Sequence, residues 1–271
     1  MIPASSPAPP DVAAAFGAVH ARFTAARLDL RWYDTVTSTM DVVEEAAQAG
    51  APDGLVVVAD EQTRGRGRRG NPWSSPPGAG LYVSFLWRPS PAQVAAPQLA
   101  LVTLAAGVAV RSALAAACGL APDLKWPNDL TVGRRKLAGI LAEGLALGSD
   151  MQAVILGVGI NLARAAHPPD VAARATSLEE ELGAPVERGR VLEEVIVAMW
   201  ATFDDVRQGR GEDIVSAWRE AAAGVRGRVV AWQDRAGDHQ GIVEGIDEAG
   251  ALLVRVPSGI QRIVAGELRW L

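Results

Sequence analysis

The residues best suited to chemistry are charged and sit in two clusters. Arg64, Arg66, Arg68 and Arg69 put four arginines into six residues, interleaved with Gly65, Gly67 and Gly70. From Gln62 to Pro122 the chain carries six arginines and no acid, although its formal net charge is −5. Crowded like charges repel, and a bound multivalent anion relieves that cost. Arginine binds phosphate or carboxylate through charge-assisted, often bidentate hydrogen bonds. The glycines let the chain turn sharply and let a ligand approach the backbone. The plainer alternative is a solvated loop whose arginines pair with acids elsewhere. Gly65 to Gly70 is literally G-x-G-x-x-G after an apolar run, but a dinucleotide fold is excluded. That motif opens a helix, and Asn71-Pro72-Trp73-Ser74-Ser75-Pro76-Pro77 cannot be one. The ribose-binding acid is missing too, since no Asp or Glu lies between Glu61 and Asp123. No Gly-Lys-Ser/Thr follows, so it is not a phosphate-binding P-loop.

The second cluster is Lys125-Trp126-Pro127-Asn128-Asp129, followed by Arg134-Arg135-Lys136-Leu137-Ala138-Gly139-Ile140. Lys125 and Lys136 are the only lysines, against twenty-four arginines. Lysine is a compact point charge that reaches a carboxylate or phosphate. Asp129, seven residues before Lys136, suits a Mg²⁺ ligand or a fixed polar network. The bland alternative is a β-turn with a charged tip between two strands. A third element, Gly157-Val158-Gly159-Ile160-Asn161, ends a strand; its glycines suggest close backbone approach or a plain turn. Nucleophilic machinery is missing. There is no G-x-S-x-G, the single Cys118 lies in an apolar run, and His20, His167 and His239 lack zinc-ligand spacing. What remains suits positioning and charge stabilisation in phosphoryl or nucleotidyl transfer.

The elements that must position these groups follow from periodicity. Helices are predicted over Asp11–Ala26, Met40–Ala49 (capped by Thr37, Ser38 or Thr39 and stopped at Gly50), Pro97–Cys118, Arg188–Arg207 and Gly211–Ala223. Ser177 to Glu180 reads as a capping box. Strands are predicted at Arg31–Tyr33, Leu55–Ala59, Leu81–Trp87, Lys136–Gly144 and Ala153–Ile160, with a long loop from Arg64 to Gly80. After Gly224, short strands at Arg228–Trp232, Gly241–Ile246, Ala251–Val256 and Gln261–Ala265 suggest a small antiparallel barrel. The N-terminal MIPASSPAPP reads as a disordered tail, neither a signal peptide nor a membrane anchor. The most apolar stretch, Leu99–Val110, is too short for a bilayer and is closed by Arg111. The chain is therefore expected to be cytoplasmic.

Taken together, Glu61 to Trp73, Lys125 to Asp129 and Arg135 to Ile140, with Ser38-Thr39 upstream and Gly157 to Asn161 downstream, resemble biotin protein ligases. The resemblance runs from Trp32 to the C-terminus. It implies an α+β fold: a mixed-sheet catalytic domain like those of class II aminoacyl-tRNA synthetases, with an SH3-like C-terminal barrel. The expected division is residues 1–28 as a tail with a short helix, 29–223 as the catalytic domain and 224–271 as the barrel. It also implies that biotin's carboxylate attacks the α-phosphate of ATP, with Mg²⁺, to give biotinyl-5′-AMP. A lysine of a biotin carboxyl carrier protein domain, from acetyl-CoA or another acyl-CoA carboxylase, then takes the biotinyl group.

By position, Ser38, Thr39 and Gln62 would line the biotin head-group pocket. Arg66, Gly67 and Arg68 would close over biotin and the adenylate, and Trp73 would pack at the adenylate side. Asn128 and Asn161 would lie on the nucleotide side. Lys136 would contact the biotin carboxylate and α-phosphate, Asp129 would organise amine transfer or the metal, and Gly139 would let the ligand lie on its strand. Lys136, Arg66 and Asp129 are the expected catalytic set, without a dedicated metal site. Gly266-Glu267 would face the nucleotide. The family often has Asn after Ser38-Thr39; Met40 here removes one polar contact. Some members carry an N-terminal helix-turn-helix, and the stretch before Trp32 is too short for one. No nucleic acid or membrane partner is expected, and the state is a monomer or weak homodimer. The alternatives are a lipoate or octanoate transferase on the same fold, a nucleic-acid-binding loop, and a biotin-binding module without catalysis.

Overall fold

The computed structural model describes residues 4–24, 28–89, 96–147, 150–234, 237–266 and 268–271. Seven strands form the main sheet: β1 (Asp29–Val36), β2 (Leu55–Gln62), β3 (Gly80–Trp87), β4 (Asp123–Lys125), β5 (Asp129–Val132), β6 (Arg135–Leu147) and β7 (Asp150–Asn161). Their order is β1-β2-β3-β7-β6-β5-β4. β1 and β2 run parallel and every other neighbouring pair is antiparallel.

Alternation along the strands separates two faces. Leu81, Val83, Phe85 and Trp87 of β3 and Val154, Leu156, Val158 and Ile160 of β7 join the larger core. That core is covered by α3 (Ala96–Cys118) and α5 (Arg188–Arg207), with α1 (Pro10–Arg22) and α6 (Gly211–Ala221) packed around them. Trp87 stacks on Phe203 of α5 at 5.5 Å, and Phe85 meets the same ring edge-on. The opposite face receives α2 (Thr39–Gln48), whose Met40, Val43 and Ala47 pack with Leu55, Val57, Leu86 and Ile155. β3 is buried along its whole length because both its faces are covered.

The C-terminal segment forms a second, five-stranded antiparallel sheet. β8 (Val229–Asp234), β9 (Gly237–Ile246), β10 (Leu252–Val256), β11 (Gly259–Ile263) and β12 (Arg269–Trp270) take the order β11-β10-β9-β8-β12. Its Val230, Trp232, Ile246 and Leu252 belong to the same core as the main sheet. The Trp126 indole N–H donates to the Gly250 carbonyl at 2.9 Å. Lys125 and Arg228 lie against the Trp270 ring. β12 and the first residues of β9 lie outside the predicted strands, β12 because two residues carry no periodicity.

Two expectations change. Within the expected tail, Ser6 N–H donates to the Trp32 carbonyl at 2.8 Å, and Pro9 precedes α1. Val12, Ala15 and Val19 are buried against α5, and Arg188 binds Asp11 at 2.8 Å. The Pro/Ala-rich composition hid a segment ordered by tertiary contact. α1 ends at Arg22, before the predicted Ala26, and residues 25–27 are outside the described set. The apolar stretch does not end at Arg111 either, although the helix ends at Cys118 as predicted. Leu101–Cys118 is long and apolar enough to cross a membrane by length and composition alone. Half of that window is buried in the fold. Arg111 Nε donates to the Pro122 carbonyl at 3.0 Å. The helix packs its buried face against the sheet, α5 and α6.

Candidate active site

Residues paired directly across a sheet share a face. One such row crosses five strands: Ala59, Tyr82, Gly159, Gly139 and Asp129. The next row carries Val57, Ser84, Gly157 and Leu141. Glycines at the centre of both rows leave a trough in the sheet, with the Asp129 carboxylate at one end. Burial, and the nearby Asp60 carboxylate, push the Tyr82 phenol well above its ordinary range. Its hydroxyl donates to the Pro76 carbonyl at 3.1 Å and ties down the end of the arginine loop.

A β-bulge brings Lys136 into this row. β5 and β6 pair Asp129 with Gly139 and Leu130 with Ala138, but then Thr131 with Lys136, leaving one residue extra on β6. Without the extra residue Lys136 would alternate with Gly139 and share the core side of Ala138. The bulge sends Leu137 into the core and turns Lys136 onto the trough. The Lys136 backbone is held on both sides: its N–H donates to the Arg174 carbonyl at 2.8 Å, and its carbonyl accepts from Thr176 at 2.9 Å. Lys136 Nζ lies 2.6 Å from Asp129 Oδ1 and 5.1 Å from the centre of the Trp73 ring. A Cβ on Gly139 would meet Lys136 Cε at 3.1 Å.

The other end of the trough is a network of small polar groups. Ser38 caps α2 by accepting from Met40 N–H at 3.3 Å. Gln62 Oε1 accepts from Thr39 N–H at 2.9 Å, Thr39 Oγ1 at 3.2 Å and Ser38 Oγ at 3.3 Å. Ser84 Oγ and Thr39 Oγ1 are 2.7 Å apart, and Gln62 Nε2 donates to Ser75 Oγ at 2.8 Å. Ser38, Thr39, Ser75 and Ser84 are all buried, and mutual hydrogen bonding offsets their desolvation. Met40 fills the floor here, so close that a Cβ on Gly157 would be 2.7 Å from its sulfur.

The arginine loop folds back on itself as a hairpin rather than an irregular loop. Gly67 N–H donates to the Asn71 carbonyl at 2.7 Å and Trp73 N–H to the Gly65 carbonyl at 2.9 Å. A side chain at Gly65 would strike the Trp73 carbonyl at 2.4 Å. The tip, Arg68–Gly70, is a single 3₁₀ turn with Arg69 left-handed at φ 58°. The hairpin lays the Trp73 indole on the trough, where a Cβ on Gly159 would lie 2.5 Å from its Nε1. That buried N–H has no acceptor among the described residues. Arg66 pairs with Asp41 at 3.0 Å and Glu143 at 3.4 Å. Arg68 Nη1 donates to the Gly266 carbonyl at 3.1 Å and Asn128 Oδ1 at 3.4 Å, and Asn128 Nδ2 donates to the Ile140 carbonyl at 2.8 Å.

Ser38, Thr39, Gln62, Arg66, Gly67, Arg68, Trp73, Asn128, Asp129, Lys136 and Gly139 therefore line a single cleft. Asn161 is not among these lining residues: it is buried at the end of β7, where its amide donates to the Thr176 carbonyl at 2.8 Å. Of the two lysines only Lys136 reaches the cleft; Lys125 stands over Trp270. Asp129 pairs with Lys136 at 2.6 Å. Gly266 meets Arg68, while Glu267 lies outside the described residues. Sequence reasoning missed Ser75, Ser84, Asp41 and Glu143, and it singled out Arg69 only as one of the clustered arginines. Ser84 did leave a signal, a lone hydroxyl inside the apolar run Leu81–Trp87.

The Biotin/lipoate A/B protein ligase family model matches residues 32–161, and the Biotin protein ligase C terminal domain model matches residues 227–268. A biotin--[acetyl-CoA-carboxylase] ligase of Paracoccus denitrificans is 40% identical over 218 residues, 78% of this chain and 88% of the relative. The bifunctional ligase/repressor BirA of Bacillus subtilis is 33% identical over 241 residues, 88% of this chain and 73% of the relative. The structure of the biotin protein ligase from Aquifex aeolicus in complex with biotin and ATP aligns with a TM-score of 0.74 at 31% identity, covering 90% of this chain and 98% of that one. With these likenesses running through both sheets and through the segments that build the cleft, the chain belongs to the biotin protein ligase family.

Proposed function

We propose that the cleft activates biotin with ATP and hands the biotinyl group to a lysine of a carboxyl carrier protein. Lys136, turned onto a glycine-floored trough beside Asp129, is the observation that carries this reading. A carboxylate and a polyphosphate must be brought together, and their repulsion has to be cancelled. A preorganised ammonium does so without reorganising at the moment of reaction. One biotin carboxylate oxygen bonds to the α-phosphorus, the bond to the β-phosphate bridging oxygen breaks, and pyrophosphate leaves. Mg²⁺ arrives as part of the ATP substrate. The Trp73 indole and the hairpin cover the trough and exclude water, which protects the mixed anhydride from hydrolysis. In the second step the carrier lysine's amine attacks the anhydride carbonyl and AMP leaves. Asp129, at the open end of the row, orients that amine.

The head group fits the polar end. Gln62, Thr39, Ser38 and Ser84 already satisfy one another, so a bound urea or amide exchanges partners rather than meeting bare groups. The cited relatives are named for biotin, and the lipoate alternative gains no support from them. Further parts of the reading are a cytoplasmic location, a monomer or weak homodimer, and a division into a catalytic part, 29–223, and a C-terminal part, 224–271. Net charge −5 and the pairing of Arg66 with carboxylates argue against a nucleic-acid partner. The test is mass spectrometry of a carrier domain incubated with the protein, biotin and Mg-ATP. A mass gain of one biotinyl group, dependent on ATP, is expected; an unmodified carrier with no pyrophosphate released overturns the reading.

A further inference from the structure

We propose that Asp41 and Glu143 are positioning residues that latch the arginine hairpin over the cleft through Arg66, and so set how long the acyl-adenylate is retained. The proposal rests on the ligase reading. Arg66 reaches Asp41 Oδ1 with Nη1 at 3.0 Å and Glu143 Oε2 with Nη2 at 3.4 Å. Asp41 lies in the first turn of α2 and Glu143 on β6. Both elements contribute residues to the cleft, so one guanidinium ties hairpin, helix and sheet together. The Thr37 hydroxyl donates to the second Asp41 oxygen at 2.8 Å and fixes the carboxylate's orientation. Arg66 lines the cleft, whereas neither carboxylate does.

In this structure two carboxylates face the one guanidinium of Arg66. These contacts hold the hairpin, and Arg66 and Gly67 also line the cleft. The contact is half exposed, and pairs of that kind are individually weak. A weak latch suits a segment that must open for biotin to enter and for the carrier lysine to reach the anhydride.

The hairpin contains four arginines between residues 64 and 69, so trypsin reports its opening without any ligand. The experiment uses the full chain and the variants Asp41→Asn, Glu143→Gln and both together, each first shown to melt like the parent. Without ligands, the double variant should be nicked within the hairpin about fivefold faster, the combined loss of two exposed ion pairs. Loaded with biotin and Mg-ATP, it should lose biotinyl-5′-AMP faster by a similar factor, and its KM for biotin should rise more than its kcat falls. In an Arg66→Ala background the same substitutions should add nothing, because the interaction they remove is already gone. Parent-like nicking in the double variant, or further loosening in the Arg66→Ala background, overturns the latch. Should the parent form no adenylate, the ligase reading fails, and the ligand-free trypsin comparison still decides the latch.

Discussion

Replacing Lys136 by methionine removes a charge and keeps the stem that packs against Gly139 and Trp73. The structure sets the magnitude. Lys136 is 35% exposed, so water screens it in part. At an effective dielectric of about 20, a unit charge about 4 Å from an oxyanion is worth about 4 kcal/mol. If one such contact strengthens as charge develops at the reacting oxygens, the loss is about 10³-fold in rate. The substitution also leaves the Asp129 carboxylate, 2.6 Å from the missing ammonium, facing two anionic substrates. Asp129→Asn in the Lys136→Met background should therefore recover part of the loss, roughly tenfold, by removing that repulsion. Stability should change little, because a half-exposed pair contributes about 1 kcal/mol or less. The assay is single-turnover pyrophosphate release with saturating biotin and Mg-ATP, beside a thermal melt. Release within tenfold of the parent, at an unchanged melting temperature, would refute the assignment of Lys136. A double variant slower than Lys136→Met alone would refute the electrostatic account of Asp129.

Gly159→Ala should displace the Trp73 indole, because its Cβ would sit 2.5 Å from Nε1 on a backbone paired on both sides. Adenylate formation should fall at least tenfold while the far-ultraviolet circular dichroism stays native; parent-like activity would show that Trp73 is not seated on the trough in solution. Arg68→Ala removes the bond to the Gly266 carbonyl and should let biotinyl-5′-AMP escape severalfold faster, measured by trapping free adenylate. For Asp247, burial raises the carboxyl, but the Arg262 hydrogen bond and those from the Ala251 and Ala249 amides outweigh it and hold it below 3.8. A depressed carboxylate stabilises the fold at neutral pH and loses that contribution as pH falls through its folded value. Asp247→Asn should thus lower the melting temperature at pH 7 by a few degrees and narrow the gap to the parent below pH 4; an equal gap at both pH values would sink the assignment.

Much of the protein was legible because its signals are local. α5 is predicted and observed over the same residues, Arg188–Arg207, since its apolar period decides it. Ser38 caps α2 as its hydroxyl allows, and Gly-rich composition around 64–80 fixed the place of the loop. The two charged motifs and their order pointed to a site joining a carboxylate to a nucleotide. The sequence could not show the hairpin within the loop, because Gly67 pairs with Asn71 through backbone groups that leave no mark on side-chain pattern. Residue type and local pattern did not separate Lys125 from Lys136 either; only the family resemblance singled out Lys136. A bulge of one residue on β6 sends the second to the trough, and parity along a strand is a property of the pairing, not of the strand. Nothing in the sequence pattern marked Asp41 or Glu143, and only the approach of α2 and β6 around Arg66 gave them a common partner. Residue types and local periodicity thus determined which chemistry was available, while register and the meeting of distant segments decided which side chains perform it, because contacts between residues far apart in the chain exist only once the sheet has formed.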